Sequence, residues 1–278
     1  MKTSVIIPTY NEESVIQNCL DSLKNQTEKQ FEIIVVDDGS NDNTLKLLSS
    51  YKKGLDVKIY TQNHKGAGAA RNLGASKSLG EILVFVDADM TFDKNFLKNL
   101  VAPIKDGFAK GTWSKEEYVS NWENNWARCW NINENWEIKR RHPINYPDTQ
   151  PVFRAVLKKE FRRVGGYNPG GYTDDWSLYN KLGYKAVNAK DAIFYHKNPA
   201  SLLEIYHHAK WVGKRKYKFG LIGYFVGLLR ASLPVSLVIG TFKSLASKEP
   251  SFIVFKIVYD LGLFVGIINY VISGKGAK

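Results

Sequence analysis

The sequence predicts an α/β fold on a mostly parallel sheet, followed by an apolar helical tail. Three observations predict it. Apolar, β-branched runs alternate with helical periodicities through residues 1–100. Two of those runs stop on carboxylates, Asp37-Asp38 and Asp87/Asp89. From Lys210 onward a basic, aromatic run opens into long apolar stretches.

The elements follow in order. Ser4–Pro8 reads as a buried strand ended by proline, with Thr9-Tyr10-Asn11 as the turn. Asn11, Glu13 and Ser14 open a helix through about Leu23, with Val15, Ile16, Leu20 and Leu23 at helical spacing. Phe31–Val36 is a second strand. Asp42 or Asn43 caps the next helix, and Val57–Tyr60 is a third strand. Strand, helix, strand, helix, strand implies a parallel sheet with right-handed crossovers.

In His64–Gly74 the glycines permit close backbone approach, and the Ala-rich continuation makes a helix N-terminus that suits an anion. Lys65 and Arg71 add cationic donors, and Arg71 can fork onto phosphate oxygens. Ile82–Val86 is the fourth strand. Asp87 and Asp89 leave its C-terminal end two positions apart, on one face of an extended chain. Open α/β sheets place ligands there. Two carboxylates without neighbouring sulfur suit a hard divalent cation, Mg²⁺ or Mn²⁺.

Composition narrows the class. A chain of 278 residues holds one large domain, or one with an appendage. The net charge of +12 implies an anionic partner: nucleic acid, membrane surface or phosphorylated ligand. G-x-G-x-x-G is missing after the first strand and the P-loop pattern is missing throughout, which disfavours dinucleotide and P-loop binding. Cys19 and Cys129 form no metal or disulfide pattern, so a reducing compartment is expected. Met1-Lys2-Thr3 leads straight into a strand, so no secretory signal peptide is expected.

Past Asp89 the parallel pattern dissolves. Phe96, Leu97 and Leu100 suggest a helix that Pro103 ends or kinks. Trp122, Trp126 and Trp130 fall at i, i+4, i+8, as a ligand wall, a membrane-interface belt or a packed amphipathic face. Lys139–His142 is a cationic cluster. Gly165-Gly166 marks a turn, and Asp174-Asp175 precede a helix carrying Leu178 and Leu182, where N-capping competes with a chemical role. Ala192–His196 is a strand ending on histidine.

The tail carries Lys210–Lys218, then Phe219–Phe242 with Arg230 and Pro234 inside, then Phe252–Ile272 with Lys256 and Asp260 as an i,i+4 pair. Each apolar stretch is long enough to cross about 30 Å of hydrocarbon, although the embedded charges keep in-plane helices open. The basic run, with Lys275 and Lys278, suits a hairpin with both ends cytoplasmic. The charge gathers beside apolar stretches and no nucleic-acid motif is present, so the expected partner is an anionic membrane surface, not nucleic acid.

Val5–Asn11, Val35–Ser40, Ala70–Asn72 and Phe85–Asp89, in this order and spacing, resemble the nucleotide-binding half of a family 2 glycosyltransferase of the GT-A fold. With the tail, the chain is similar to membrane-associated polyprenyl- and dolichyl-phosphate sugar transferases. The resemblance covers about residues 3–200. It implies a nucleoside-diphosphate sugar donor, GDP- or UDP-linked, and Mn²⁺ or Mg²⁺. By motif position, Asp38 would contact base or ribose, with Pro8, Tyr10 and Glu12 around it and Arg71 near base or diphosphate. Asp87 would hold ribose or a metal-bound water, Asp89 would bind the metal, and His196 can return to it. The family's acid pair, usually Glu-Asp, falls on Asp174-Asp175, with Asp175 as base toward the acceptor hydroxyl.

The expected domains are 1–208, a catalytic unit with a nucleotide-sugar half (1–100) and an acceptor half (101–208), and 209–278, membrane-associated helices. The expected function is an inverting, metal-dependent transfer of a sugar to a lipid-type acceptor such as polyprenyl phosphate or a lipid-linked saccharide, on the cytoplasmic membrane face. The alternatives are a non-catalytic membrane scaffold that binds nucleotide sugar and a metal-dependent nucleotidyltransferase.

Overall fold

The computed structural model describes residues 1–51, 57–168, 174–274 and 276, with the side chains of Asp174 and Asp175 outside the description. Lys275 and Lys278, named above, also lie outside the described residues.

The chain opens with β1 (Thr3–Thr9), α1 (Ile16–Lys24), β2 (Phe31–Asp37), α2 (Thr44–Tyr51), β3 (Val57–Thr61), α3 (Ala67–Lys77) and β4 (Ile82–Phe85). Then come β5 (Met90–Phe92), α4 (Phe96–Lys105), β6 (Gly111–Trp113), β7 (Glu117–Val119) and α5 (Asn125–Asn133). Next are β8 (Thr149–Gln150), β9 (Ala155–Leu157), α6 (Lys158–Arg163), α7 (Asp174–Leu182), β10 (Ala186–Asn188) and β11 (Phe194–His196). Four helices end the chain: α8 (Leu202–Gly213), α9 (Gly220–Arg230), α10 (Leu233–Ser247) and α11 (Phe252–Ser273).

Two compact units result. The first comprises Met1–Tyr118 and Asn145–His196, the second Val119–Ile144 and Lys197–Lys278. This division differs from the expected one: the tryptophan segment groups with the tail helices, and the first unit ends at His196 and not at residue 208.

In the first unit an eight-stranded sheet runs β3-β2-β1-β4-β9-β6-β10-β8. Its β3-β2-β1-β4 half is parallel, as the alternating pattern requires. The order moves outward from β1 to β3 and then returns to β4 on the other side of β1. That reversal is a topological switch point, where the loops leaving two adjacent strands diverge and open a crevice. Thr9–Glu12 and Val86–Asp89 leave the sheet there. Beyond β4 the sheet becomes mixed, because β9 runs antiparallel to both β4 and β6.

Period-two alternation divides the core between the two faces. Val5 and Ile7 join α1 and α4 residues such as Leu20 and Leu97 on one side. Ile6 joins Ala70, Phe85, Phe161 and Tyr167 on the other. Gly74 lets α3 lie close to the sheet, since a Cβ there would come within 2.5 Å of Ile6 Cγ2. A small sheet, β5-β11-β7, stands beside the large one.

Two local expectations need correction. The first helix begins at Ile16, not Asn11. Asn11 sits at φ 57° and binds the β2–α2 loop instead, donating from its amide to Ser40 Oγ at 2.9 Å and accepting from Asn41 N at 2.8 Å. Pro103 lies inside α4 without ending it, because apolar Phe96, Leu97, Leu100, Val101 and Ile104 hold that helix on the core.

In the second unit Trp130 is buried against Ile205, Phe252 and Phe255, with Trp126 and Trp136 packed around them. Of the three functions open to the tryptophan stripe, core packing describes Trp130. Trp122 precedes α5, whose cap is Asn124. The apolar stretch 219–242 is broken: α9 and α10 meet at 58°, with Pro234 in the first turn of α10, where a missing N–H costs nothing. Phe252–Ser273 is long and apolar enough to cross a membrane, by length and composition. The Lys256–Asp260 pair forms at 2.7 Å, and Ser236 Oγ donates to the same carboxylate at 2.6 Å.

Candidate active site at the switch point

Asp87 and Asp89 leave the end of β4 in the crevice, and each carboxylate has its own partners. Asp87 Oδ1 accepts from Arg71 Nη2 at 2.7 Å and Oδ2 from Arg154 Nη1 at 3.2 Å. Burial opposes ionisation, yet the two guanidiniums hold the Asp87 carboxyl well below the usual carboxylate range. Arg71 comes from α3, and its guanidinium lies 5.6 Å from the ring centre of Tyr167. Arg154 is fixed by its backbone: its amide donates to Thr112 O at 2.9 Å and its carbonyl accepts from Phe85 N at 2.8 Å.

Asp89 Oδ2 lies 2.7 Å from His196 Nε2, and Glu117 Oε1 lies 2.9 Å from His196 Nδ1. His196 thus stands between two carboxylates. The small sheet makes this arrangement, since His196 pairs with Met90, the residue after Asp89.

Glu12 completes the acidic wall. Its amide donates to Thr44 Oγ1 at 2.9 Å. Burial first, then the nearby charges of Asp89 and Asp87, push its carboxyl up to about 7. Excess negative potential of this kind is what a bound cation offsets.

Asp38 is the residue expected to contact base or ribose. It is buried, and its oxygens accept from Lys65 N at 2.8 Å, Gly66 N at 2.8 Å and Gln62 Nε2 at 2.6 Å, with His64 Nδ1 at 2.9 Å. These donors take up its lone pairs, so Asp38 anchors the 62–66 loop. Tyr10 is exposed and packs on the His64 ring, centroids 4.2 Å apart. Pro8 lies in β1 opposite Val36, beyond the stretch that pairs with β4.

The structure therefore brings together Glu12, Arg71, Asp87, Asp89 and His196, and sets Pro8, Tyr10 and Asp38 along the adjoining strand ends. The side chains of Asp174 and Asp175 lie outside the described residues. Sequence reasoning missed Arg154 and Glu117. A basic residue next to an apolar strand and a glutamate in Glu116-Glu117 carry no local signal.

Among the described residues, no three His, Cys, Asp or Glu side chains form a ready-made metal cage. Asp89 and His196 nevertheless offer a carboxylate and an imidazole side by side, next to the strained charge of Glu12. That donor set fits Mn²⁺ or Mg²⁺ completed by ligand oxygens and water.

Residues 4–165 match the family model described as Glycosyl transferase family 2. The chain belongs to that family. Family 2 relatives include the poly(ribitol-phosphate) beta-N-acetylglucosaminyltransferase TarS of Staphylococcus aureus, 40% identical over 110 residues. The aligned part is 38% of this chain and 19% of TarS. The poly(ribitol-phosphate) beta-glucosyltransferase of Bacillus spizizenii is 46% identical over 94 residues, 32% of this chain and 15% of that protein. The chain thus spans less than a fifth of the length of these curated relatives.

Solved structures extend the likeness in fold. TarS residues 1–349 of S. aureus with UDP-GlcNAc superimpose at TM-score 0.60 and 19% identity, covering 99% of this chain and 93% of that one. The mannosyltransferase PcManGT of Pyrobaculum calidifontis, solved with GDP-Man and Mn²⁺, gives 0.64 at 20% identity, covering 99% and 88%. The family 2 chain has the α/β GT-A fold, with a helical C-terminal region. The family match spans Pro8, Tyr10, Glu12, Asp38, Arg71, Asp87 and Asp89, and stops before Asp174 and His196.

Proposed function

We propose that this family 2 chain is an inverting glycosyltransferase, moving a sugar from a nucleoside-diphosphate sugar to a phosphate-bearing acceptor held at a membrane surface. One observation carries the reading: an Asp87 clamped by two arginines and an Asp89 paired with His196 meet at the switch point of the sheet. Relatives named for poly(ribitol-phosphate) transfer and neighbours solved with UDP-GlcNAc or GDP-Man support both donor class and phosphate-bearing acceptor.

Each group then has a role. Tyr10 and Pro8 border the base, and Asp38 acts through the loop it anchors. Arg71 and Arg154 keep Asp87 ionised to hold ribose or a metal-bound water. Asp89 and His196 would hold Mn²⁺ or Mg²⁺, which when bound neutralises the leaving diphosphate. The acceptor oxygen bonds to the anomeric carbon as the bond to diphosphate breaks. Asp175 takes the proton when the acceptor is a hydroxyl. An acceptor that is already an ionised phosphate needs no base, and Asp175 would then orient neighbouring groups.

The membrane part of the proposal rests on the second unit. Its α9 and α10 expose large apolar side chains after the basic run Lys214–Lys218. The test is release of nucleoside diphosphate in lipid micelles across a donor panel, with Mn²⁺ or EDTA and with or without polyprenyl phosphate or a polyol phosphate. Donor-specific release that needs metal and rises with one acceptor is the expected result. Absence of binding to every donor would overturn the reading.

A further inference from the structure

We infer that Glu117 is a positioning residue that makes His196 a cation ligand. The inference rests on the proposed cation at Asp89 and His196. In the small sheet β11 lies between β5 and β7, so His196 has Asp89 on one side and Glu117 on the other. The distances are 2.7 Å from Nε2 to Asp89 and 2.9 Å from Nδ1 to Glu117.

A neutral imidazole carries one N–H and one lone pair, and an ionised carboxylate only accepts. With a cation at Asp89, Glu117 at Nδ1 would keep the proton on that nitrogen and leave the Nε2 lone pair to the cation. Nε2 and the Asp89 carboxylate then present two adjacent donors to the same cation. A hydrogen bond behind a ligating histidine also fixes the ring's orientation and raises its basicity. The contact is well shielded, with the Glu117 side chain 21% exposed and that of His196 17%. The backbone next to Glu117 is tied down as well, because Phe194 N donates to Glu116 O at 3.0 Å.

The test is Mn²⁺ titration of the full chain without nucleotide, with free Mn²⁺ read by electron paramagnetic resonance. Glu117→Ala should weaken Mn²⁺ about 10- to 100-fold, the usual cost of losing such a partner. Glu117→Gln keeps an acceptor at Nδ1 and should recover most of that loss. The double variant with His196→Ala should bind no more weakly than His196→Ala alone. Wild-type affinity in Glu117→Ala, with His196→Ala weakened, overturns the inference and leaves the cation site standing. Wild-type affinity in His196→Ala overturns the cation site itself.

Discussion

Asn72 grips the backbone of Tyr167 at both ends of its amide: Oδ1 accepts from Tyr167 N at 2.9 Å, and Nδ2 donates to Tyr167 O at 2.9 Å. The contact joins two sequence motifs 95 residues apart, the Arg71-Asn72 pair and the Gly165-Gly166 turn. Gly166 sits at φ 71°, and a Cβ there would meet Asn72 Oδ1 at 2.4 Å. The turn is thereby tied to α3, and Arg71 lies over the ring of that same tyrosine. Asn72→Ala strands a backbone donor and acceptor, which costs about 2 kcal/mol. Urea unfolding of the variant checks this, and a change below ~0.5 kcal/mol would show that the grip contributes little.

Arg154 is the second cation on Asp87, so its removal leaves Arg71 to hold the carboxylate alone. If Asp87 orients the donor, Arg154→Met should lower kcat/KM about 100-fold, as losing one pre-positioned charged group in a site does. Arg154→Lys should recover little, since the 3.2 Å contact depends on the fork and the guanidinium also lies 5.4 Å from the Phe194 ring centre. A drop under threefold in steady-state donor turnover would remove Arg154 from the site.

The raised Glu12 carboxyl makes stability depend on pH in a stated direction. Its folded pKa of about 7 lies above the ordinary 4.5. Between those values the folded chain holds a proton that the unfolded chain has lost, so stability falls as pH rises from about 4.5 to about 7. Above that window this group adds no further slope. Because Glu12 is part-exposed, the discounted effect is on the order of 1–2 kcal/mol. Glu12→Gln should abolish this part of the fall. Urea midpoints at pH 5 and pH 8 decide the matter, and a wild type no more pH-sensitive than the variant refutes it.

The sequence made visible what is written locally. β1, β2 and β4 are largely apolar runs because both sheet faces are covered, and the carboxylates that end β2 and follow β4 stand next to them in the chain. Arg154 and Glu117 were invisible because β9 and β7 are three-residue strands without periodicity, and their partners lie 67 and 79 residues away. The partners of Asp38 were not legible either, because nothing local says that the 62–66 loop folds back onto it. Of the stripe Trp122, Trp126 and Trp130, the last two lie on α5 as the spacing predicts, whereas Trp122 precedes the helix. Which surface the stripe covers depends on α11, more than a hundred residues later.

The last prediction concerns the second unit. On α9 and α10, Leu221, Ile222, Phe225, Leu229, Val238 and Phe242 are each more than half exposed. The buried positions of the same helices are small: Gly227, Ser236, Gly240 and Ser244. Small residues allow close packing inside this unit, and the large apolar ones are left facing outward, the reverse of a water-facing surface. Arg215, Lys216 and Lys218, just before α9 in the chain, are exposed, and at a bilayer they would meet anionic headgroups. The chain should co-float with vesicles containing phosphatidylglycerol and much less with pure phosphatidylcholine. Burying one such side chain is worth about 1.5–3 kcal/mol. Phe225→Ser with Leu229→Ser should therefore lower partitioning at least tenfold and leave Mn²⁺ affinity unchanged. Failure of the wild-type chain to float with either lipid would refute the membrane proposal, since exposed apolar side chains on α9 and α10 would then have to be covered by another protein surface.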